Sequence, residues 1–181
     1  VNTYGNAVGN FRWNHLFSSK LFSNLSLIYS DYYYGLKLDF VGFNWNSGIQ
    51  NFNVKYDLKH YLNDQLRINY GLNNIYYRFN PGKIEPSNSS SGILEDQLIQ
   101  KYANEFAAYV DVEHQVTPKL SLGYGLRLSY FNRLGQDELN VYENNNPVLF
   151  NSTIQIYQEA DPIDVLTPKR SESLAKFTNL E

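Results

Sequence analysis

The stretch His114–Asn132, HQVTPKLSLGYGLRLSYFN, joins a tight turn to a segment of strict two-residue alternation. After Lys119, the residues Leu120, Leu122, Tyr124, Leu126, Leu128 and Tyr130 share one parity, and Ser121, Gly123, Gly125, Arg127 and Ser129 share the other. A period of two places alternate residues on opposite faces of a strand. One face is all Leu and Tyr, so it meets an apolar medium, either a protein core or lipid. The other is small or charged and meets water.

Two further copies of the turn line up with it without gaps. His15-Leu-Phe-Ser-Ser-Lys20-Leu21 and His60-Tyr-Leu-Asn-Asp-Gln65-Leu66 match His114-Gln-Val-Thr-Pro-Lys119-Leu120. The chain is therefore an internal repeat of hairpin units. Lys20 to Gln65 is 45 residues and Gln65 to Lys119 is 54, so the units vary in length on one side only. Short turns at 17 to 20, 62 to 65 and 116 to 119 alternate with longer connections. Aromatic clusters at Tyr32 to Tyr34, Tyr76–Tyr77 and Tyr130–Phe131 follow the turns at a near-constant distance. Eleven residues at roughly 3.3 Å span about 36 Å, which a tilt near 45° projects to about 26 Å, close to the ~25 Å apolar band of outer-membrane barrels. Tyr and Trp gather at the edges of such a band, where the ring sits in hydrocarbon and its polar atom reaches water.

Composition agrees with that ruler. Aromatic residues make up 16%, including 16 Tyr, yet the mean hydropathy of -0.46 is that of a water-soluble chain. A barrel strand hides its lipid face in this way, because every second residue faces water. No apolar run approaches the ~18 residues of a membrane helix, which excludes a helical membrane protein. A net charge of -3 without a basic stripe gives no nucleic-acid signature. With no Cys there are no disulfides and no thiolate metal sites, and no residue pattern points to a cofactor. The chain starts at Val1 without an initiator Met or signal peptide and stops at Glu181 in what reads as another strand, so a fragment of a longer protein is expected.

Parity predicts six strands: about Asn6 to Phe17, Leu21 to Tyr34, Gln50 to Tyr61, Leu66 to Phe79, Tyr102 to Gln115, and the opening stretch. Long external loops are expected at about 35–48, 80–100 and 134–170. Asn80-Pro81-Gly82 is expected to end the fourth strand. An alternating patch, Thr153 to Tyr157, suggests a short hairpin inside the last loop. Ser171 to Glu181 fits either a helical turn or a seventh strand, and strand is preferred. The fold class is thus all-β, an antiparallel up-and-down arc of about six strands from a larger transmembrane barrel.

The three turns, the long Asn-, Tyr- and Pro-rich loops and the tail SLAKFTNLE resemble TonB-dependent outer-membrane receptors, in particular the branch with an N-terminal carboxypeptidase-regulatory-like domain. The resemblance covers nearly all 181 residues but lies in the barrel repeats; plug, TonB-contacting segment and closing strand are absent. It implies a 22-stranded barrel in a bacterial outer membrane, filled by its own plug and coupled to the TonB complex. The implied cargo is a scarce nutrient such as a siderophore, oligosaccharide or peptide, and a surface lipoprotein is an implied partner.

Within that reading Leu66, Ile68, Leu72, Leu122, Tyr124, Leu126 and Leu128 face outer-membrane lipid. Lys55, Asp57, Arg67, Asn69, Asn73, Asp111, Glu113 and Arg127 face the lumen as candidates for contact with plug or solute. Arg67, Arg127, Lys55 and Lys59 are expected chiefly to pair with Asp57, Asp111 and Glu113 on neighbouring strands. Gly71, Gly123 and Gly125 leave room for another backbone, which a plug would supply. His15, His60 and His114 occupy equivalent points before the short turns, which fits ring amphipathicity at headgroup level better than a metal site. Asp111 and Glu113 share their face with Glu105, as in an ordinary charged wall, so no enzyme activity is expected. Asp137, Glu138, Asp161 and Asp164 share a loop but lack cation-ligand spacing. The rival function class is a non-transporting β protein, a carbohydrate-binding sandwich or a surface adhesin, and a sandwich would have to cover the Leu/Tyr face with a second sheet.

Overall fold

Two-residue alternation is expressed as strand along most of the chain. A computed structural model describes all residues, Val1–Glu181. In it β1 (Asn2–Ser18), β2 (Leu21–Leu38), β3 (Phe43–Tyr61) and β4 (Leu66–Pro86) precede the two-residue β5 (Asp96–Gln97), β6 (Lys101–Thr117) and β7 (Leu120–Leu134). The last connection holds β8 (Leu139–Val141), a 3-10 turn at Glu143–Asn145, β9 (Val148–Asn151), β10 (Ile156–Glu159) and β11 (Asp164–Leu166). The chain then returns as β12 (Ser173–Leu180). The main sheet runs β1-β2-β3-β4-β6-β7-β12, with β5 beside β4, and every ladder is antiparallel. The tail is thus a seventh long strand. The sheet is open, since β1 pairs only with β2 and β12 only with β7.

Each short turn is fixed by the residue two before the repeated Lys or Gln. Ser18 Oγ accepts from the backbone N–H of Lys20 at 3.2 Å, Asn63 Oδ1 from that of Gln65 at 2.9 Å, and Thr117 Oγ1 from that of Lys119 at 3.3 Å. Short polar side chains reach a backbone donor two residues on, which is why Ser, Asn and Thr occupy that point of the repeat.

One apolar row crosses the whole sheet through the ladders. Trp13 lies opposite Leu25, Leu25 opposite Tyr56, Tyr56 opposite Leu72, Leu72 opposite Ala108, Ala108 opposite Leu128, and Leu128 opposite Leu180. Toward the long connections this face ends in a polar row in which Asp31, Gln50 and Arg78 lie side by side. Asn74 and Asn104 interrupt the apolar face, and each amide donates to the other, at 2.9 and 3.2 Å. No second layer covers the face: the substantial contacts between elements all run between ladder partners. Tyr102, Ala107 and Ala160 are the only apolar residues buried, and Leu126 is 60% exposed.

The turns step along the sheet in a regular way. Leu21, the first residue of β2, is level with Ile68, two beyond the start of β4, and Leu66 is level with Leu122, two beyond the start of β7. Two residues are about 6.6 Å along a strand, and two strand spacings are about 9.6 Å across it. The row of turns is therefore inclined at about 35° to the perpendicular of the strands, within the usual tilt of closed barrels.

Of the three expected loops, 35–48 is largely strand and the first third of 80–100 continues β4. Residues 35–48 contain only a four-residue turn, Asp39 to Gly42, between β2 and β3, where Gly42 has φ 81° and its N–H donates to Leu38 O at 2.9 Å. Polar residues such as Asn44 and Asn46 conceal the strand from a reading based on apolar alternation, because cross-strand pairing continues beyond the apolar band. Asn80-Pro81-Gly82 does not end β4. Lys83 pairs with Asn46 and Asn80 with Gly48, so Pro81 and Gly82 stand against Ser47 alone. That is a bulge, the interior sheet position where a residue without N–H is tolerated. The 134–170 connection holds two small ladders, β8 with β11 and β9 with β10; of the expected patch Thr153 to Tyr157, the first three residues lie in the turn of the second hairpin and Ile156 and Tyr157 begin β10.

Two glycines separate backbone conformation from space. Gly42→Ala is expected to destabilise by about 1–2 kcal/mol, the cost of a Cβ in the left-handed region. Gly9→Ala, on β1 with no atom within 4 Å of the added Cβ, is expected to be neutral or slightly stabilising. Urea unfolding midpoints of the two variants check this, and equal losses would contradict it.

Candidate functional site: the polar face

The second face of the sheet collects the charged and amide side chains of the same strands. Opposite residues of an antiparallel ladder point the same way, so Lys55 with Asn73, Asn69 with Asp111, and Arg67 with Glu113 share this face. Asp57, Gly71, Tyr109 and Arg127 form one row across β3, β4, β6 and β7. All eight residues singled out for this face lie on it, and the seven singled out for the other lie there.

Near the short turns Arg67 Nη1 donates to Glu113 Oε2 at 2.8 Å, and its guanidinium lies 4.9 Å from the centre of the Tyr61 ring. Two residues further along β4, Asn69 Nδ2 donates to Asp111 Oδ2 at 3.3 Å. Lys55 Nζ lies 3.2 Å from Asp57 Oδ1, a pair along one strand rather than between neighbours. Arg127 has no carboxylate partner and donates from Nε to Ser129 Oγ at 3.1 Å. Lys59 lies 6.0 Å from the Tyr61 ring centre. The expected pairing between strands thus holds for Arg67 but not for Lys55, Lys59 or Arg127. Both partners of the Arg67–Glu113 pair are more than a third exposed, so its contribution is about 0–1 kcal/mol. Its larger effect is to fix where the charges stand.

Tyr109 organises the middle of the face. Its hydroxyl donates to Asp57 Oδ1, two strands away, across Gly71. A Cβ on Gly71 would lie 2.6 Å from the Tyr109 hydroxyl and 2.4 Å from Tyr56 O, so only glycine leaves the ring its path. Lys55 Nζ and Arg127 Cζ lie 5.7 and 5.8 Å from the ring centre, within cation–π range. The backbone expected over Gly71 is thus replaced by a side chain of the same sheet. Gly123 remains uncovered, with nothing within 4 Å, and Gly125 lies under Val110 O. Parity places Tyr109 on this face, and the sequence signal for its role is Gly71 directly opposite it.

Several buried polar atoms of this face have no hydrogen-bond partner within the chain: Arg67 Nε and the Oδ1 atoms of Asn53, Asn69 and Asn73. Such atoms are normally paired in folded proteins. They cluster on β3 and β4.

The other singled-out groups lie elsewhere. On β1 His15 stands between Trp13, at 5.5 Å, and Phe17, edge-on at 4.5 Å. Asp137 pairs with Arg170 at 3.6 Å, and Asp164 Oδ1 accepts from the N–H of Val165. No three His, Asp or Glu side chains come together in a way that could hold a metal ion. Beyond the apolar band, Lys83 lies between Glu85 and Glu95, whose hydrogen bonds, Glu85 first, hold its ammonium above the usual lysine range.

Gly71→Ala is expected to cost more stability than Tyr109→Phe. The first forces a Cβ against backbone and costs about 1–3 kcal/mol, while the second removes one hydrogen bond and costs about 0.5–1.5 kcal/mol. Unfolding midpoints decide, and the reverse order would contradict the need for glycine beneath the Tyr109–Asp57 bridge. Comparison with family models, curated proteins and solved structures gave no match to this chain.

Proposed function

We propose that the chain is a section of the wall of a bacterial outer-membrane transport barrel, of the TonB-dependent type its turns and tail resemble, for energy-coupled uptake of a scarce nutrient. One observation carries the reading: an apolar face continuous over seven strands is covered by nothing in the chain. On β7 this face runs from Leu120 to Tyr130, about 33 Å along the strand, and an inclination of about 35° brings it to about 27 Å, near the apolar thickness of an outer membrane. In water so large an uncovered patch would drive association; in lipid it needs no cover. Short turns at one end, and at the other the extended β2–β3 hairpin with two long connections, fit the periplasmic and external ends of such a barrel.

In this reading Leu66, Ile68, Leu72, Leu122, Tyr124, Leu126 and Leu128 lie in hydrocarbon. Lys55, Asp57, Arg67, Asn69, Asn73, Asp111, Glu113 and Arg127 line the lumen. The free edges of β1 and β12 pair with further strands, because an unpaired backbone edge is costly in hydrocarbon. A carbohydrate-binding sandwich would need a second sheet over the Leu/Tyr face, and the chain holds only two small loop ladders besides the main sheet.

Spin labels placed singly from Leu120 to Leu134 in the full-length protein in bilayers test the membrane part. Collision with oxygen is expected to peak at Leu122, Leu126 and Leu128, and collision with a water-soluble nickel chelate at Gly123, Gly125 and Arg127. Uniform chelate access would remove the proposal. Deleting the gene is expected to abolish growth on one member of a panel of ferric siderophores, oligosaccharides and peptides, with uptake that stops when the inner-membrane gradient is dissipated. A normal phenotype across the panel would favour an adhesin.

Adjacent residues are expected to respond oppositely to substitution. Leu126→Arg places a charge in the band at a cost of about 2–4 kcal/mol, while Arg127→Leu changes only the lumen wall. Assembly yield in the outer membrane checks this, and equal yields would contradict the assignment of faces.

A further inference from the structure

The repeated histidines have no part in the function proposed above. His15, His60 and His114 lie on the apolar face of β1, β3 and β6, beside the three short turns. Their ladder partners place them on one line. His15 is level with Ser23 and so with Leu58; His60 is two residues further toward the turns, and His114, level with Leu66, is two beyond His60. This is the step that the turns themselves take. The three rings therefore stand at one height, about 12 Å apart, along the turn-side border of the apolar band. That separation is far too great for a shared metal ion.

Apart from Ser23, the side chains flanking each ring on this face are apolar. His15 faces Ser23 on β2, between Trp13 and Phe17 of its own strand. His60 lies between Leu21 of β2 and Ile68 of β4, and His114 between Leu66 of β4 and Leu122 of β7. The charges at this level belong to the turns: Lys20, whose amine donates to Leu62 O, Lys119, and a single carboxylate, Asp64. Lys59, Arg67, Asp111 and Glu113 point to the opposite face. With neutral imidazoles this rim carries one net positive charge, and with all three protonated it carries four. Histidine is the side chain whose charge ordinarily changes between about pH 5 and 8.

We propose that the three imidazoles, with Lys20 and Lys119, form a binding belt for the phosphate headgroups of anionic phospholipid in the turn-side leaflet, and that the belt tightens as the pH falls. This rests on the membrane reading above. The occupant follows from charge and position. A ring on the border of the apolar band has acyl chains on one side and headgroups on the other, and a protonated ring donates from nitrogen to a phosphate oxygen as an ammonium does. A cation near an anionic bilayer surface is attracted on that ground alone. Spacing of one ring per hairpin gives each ring its own lipid. Acidification would thus fasten the turn-side rim to the leaflet while the opposite rim, with Asp31, Gln50 and Arg78, is unchanged.

The test uses the full-length protein in nanodiscs of phosphatidylcholine with one quarter phosphatidylglycerol. Selectivity for spin-labelled phosphatidylglycerol over spin-labelled phosphatidylcholine is expected to rise about five-fold from about pH 7.5 to about pH 5.5. It is expected to stay flat in the triple variant His15→Gln, His60→Gln, His114→Gln. An equal rise in both proteins, or none in the unsubstituted one, would overturn the belt. The unsubstituted protein gives a second measurement should the variant fail to assemble. At about pH 6 the three histidine-bearing peptides should react with diethyl pyrocarbonate several-fold more slowly in phosphatidylglycerol nanodiscs than in pure phosphatidylcholine; equal rates would also overturn it. Oxygen and chelate profiles along β7 tell the two proposals apart. A lipid-facing β7 with no lipid selectivity removes the belt alone, and a β7 open to the chelate throughout removes both.

Discussion

Strand register is the constraint on which the molecule depends. A slip of one residue in any ladder would carry every Leu and Tyr of that strand to the polar face and every Asn, Lys and Asp to the apolar one. Nothing outside the sheet corrects such an error here, because no second layer lies on either face. The register is set at the turns, where Ser18, Asn63 and Thr117 each hold the backbone donor two residues on. It is reinforced across strands by specific side-chain pairs, Arg67 with Glu113 and Asn69 with Asp111 on one face and the reciprocal amides of Asn74 and Asn104 on the other. These pairs are weak one by one. Their value is that each is satisfied in a single alignment.

The polar face has a similar economy. Gly71 removes one side chain from a row, and the opening is filled by Tyr109 reaching over it to Asp57. The ring then gives Lys55 and Arg127 a common surface. The two cations lie 5.7 and 5.8 Å from the ring centre, and the Asp57 carboxylate serves both lysine and tyrosine. A face that reads as a scatter of charges is tied together at its centre by a residue that is neither acid nor base.

How much was legible follows the strength of each local signal. The strands from Leu66 to Leu72 and from Leu120 to Tyr130 could be read from parity alone, because burial in one medium forces strict alternation. The same signal fails where both faces are polar. Asn44 and Asn46 are strand residues that look like loop, and the expected loop at 35–48 shrinks to the turn at Gly42. Pro81 looked like a terminator since proline usually is one, and only the pairing of Lys83 with Asn46 reveals that it occupies a bulge. The face of each site residue was fixed by parity, but partners were not. Parity gives direction, whereas the link from Tyr109 to Asp57 depends on the depth of the gap at Gly71.

The inclination of the turns decides what lies along a straight line through the wall. A path perpendicular to the row of turns does not follow any strand; it moves one strand sideways for about every two residues along. Starting from Arg127 on β7, the next polar position on that line is Asp111 on β6, and the one after is Arg67 on β4. These three are not ladder partners of one another, yet they form a ladder of alternating charge running from the middle of the sheet to its turn end. Each rung stands on a different strand, so the trail owes its order to the slant of the sheet rather than to any one segment of the chain.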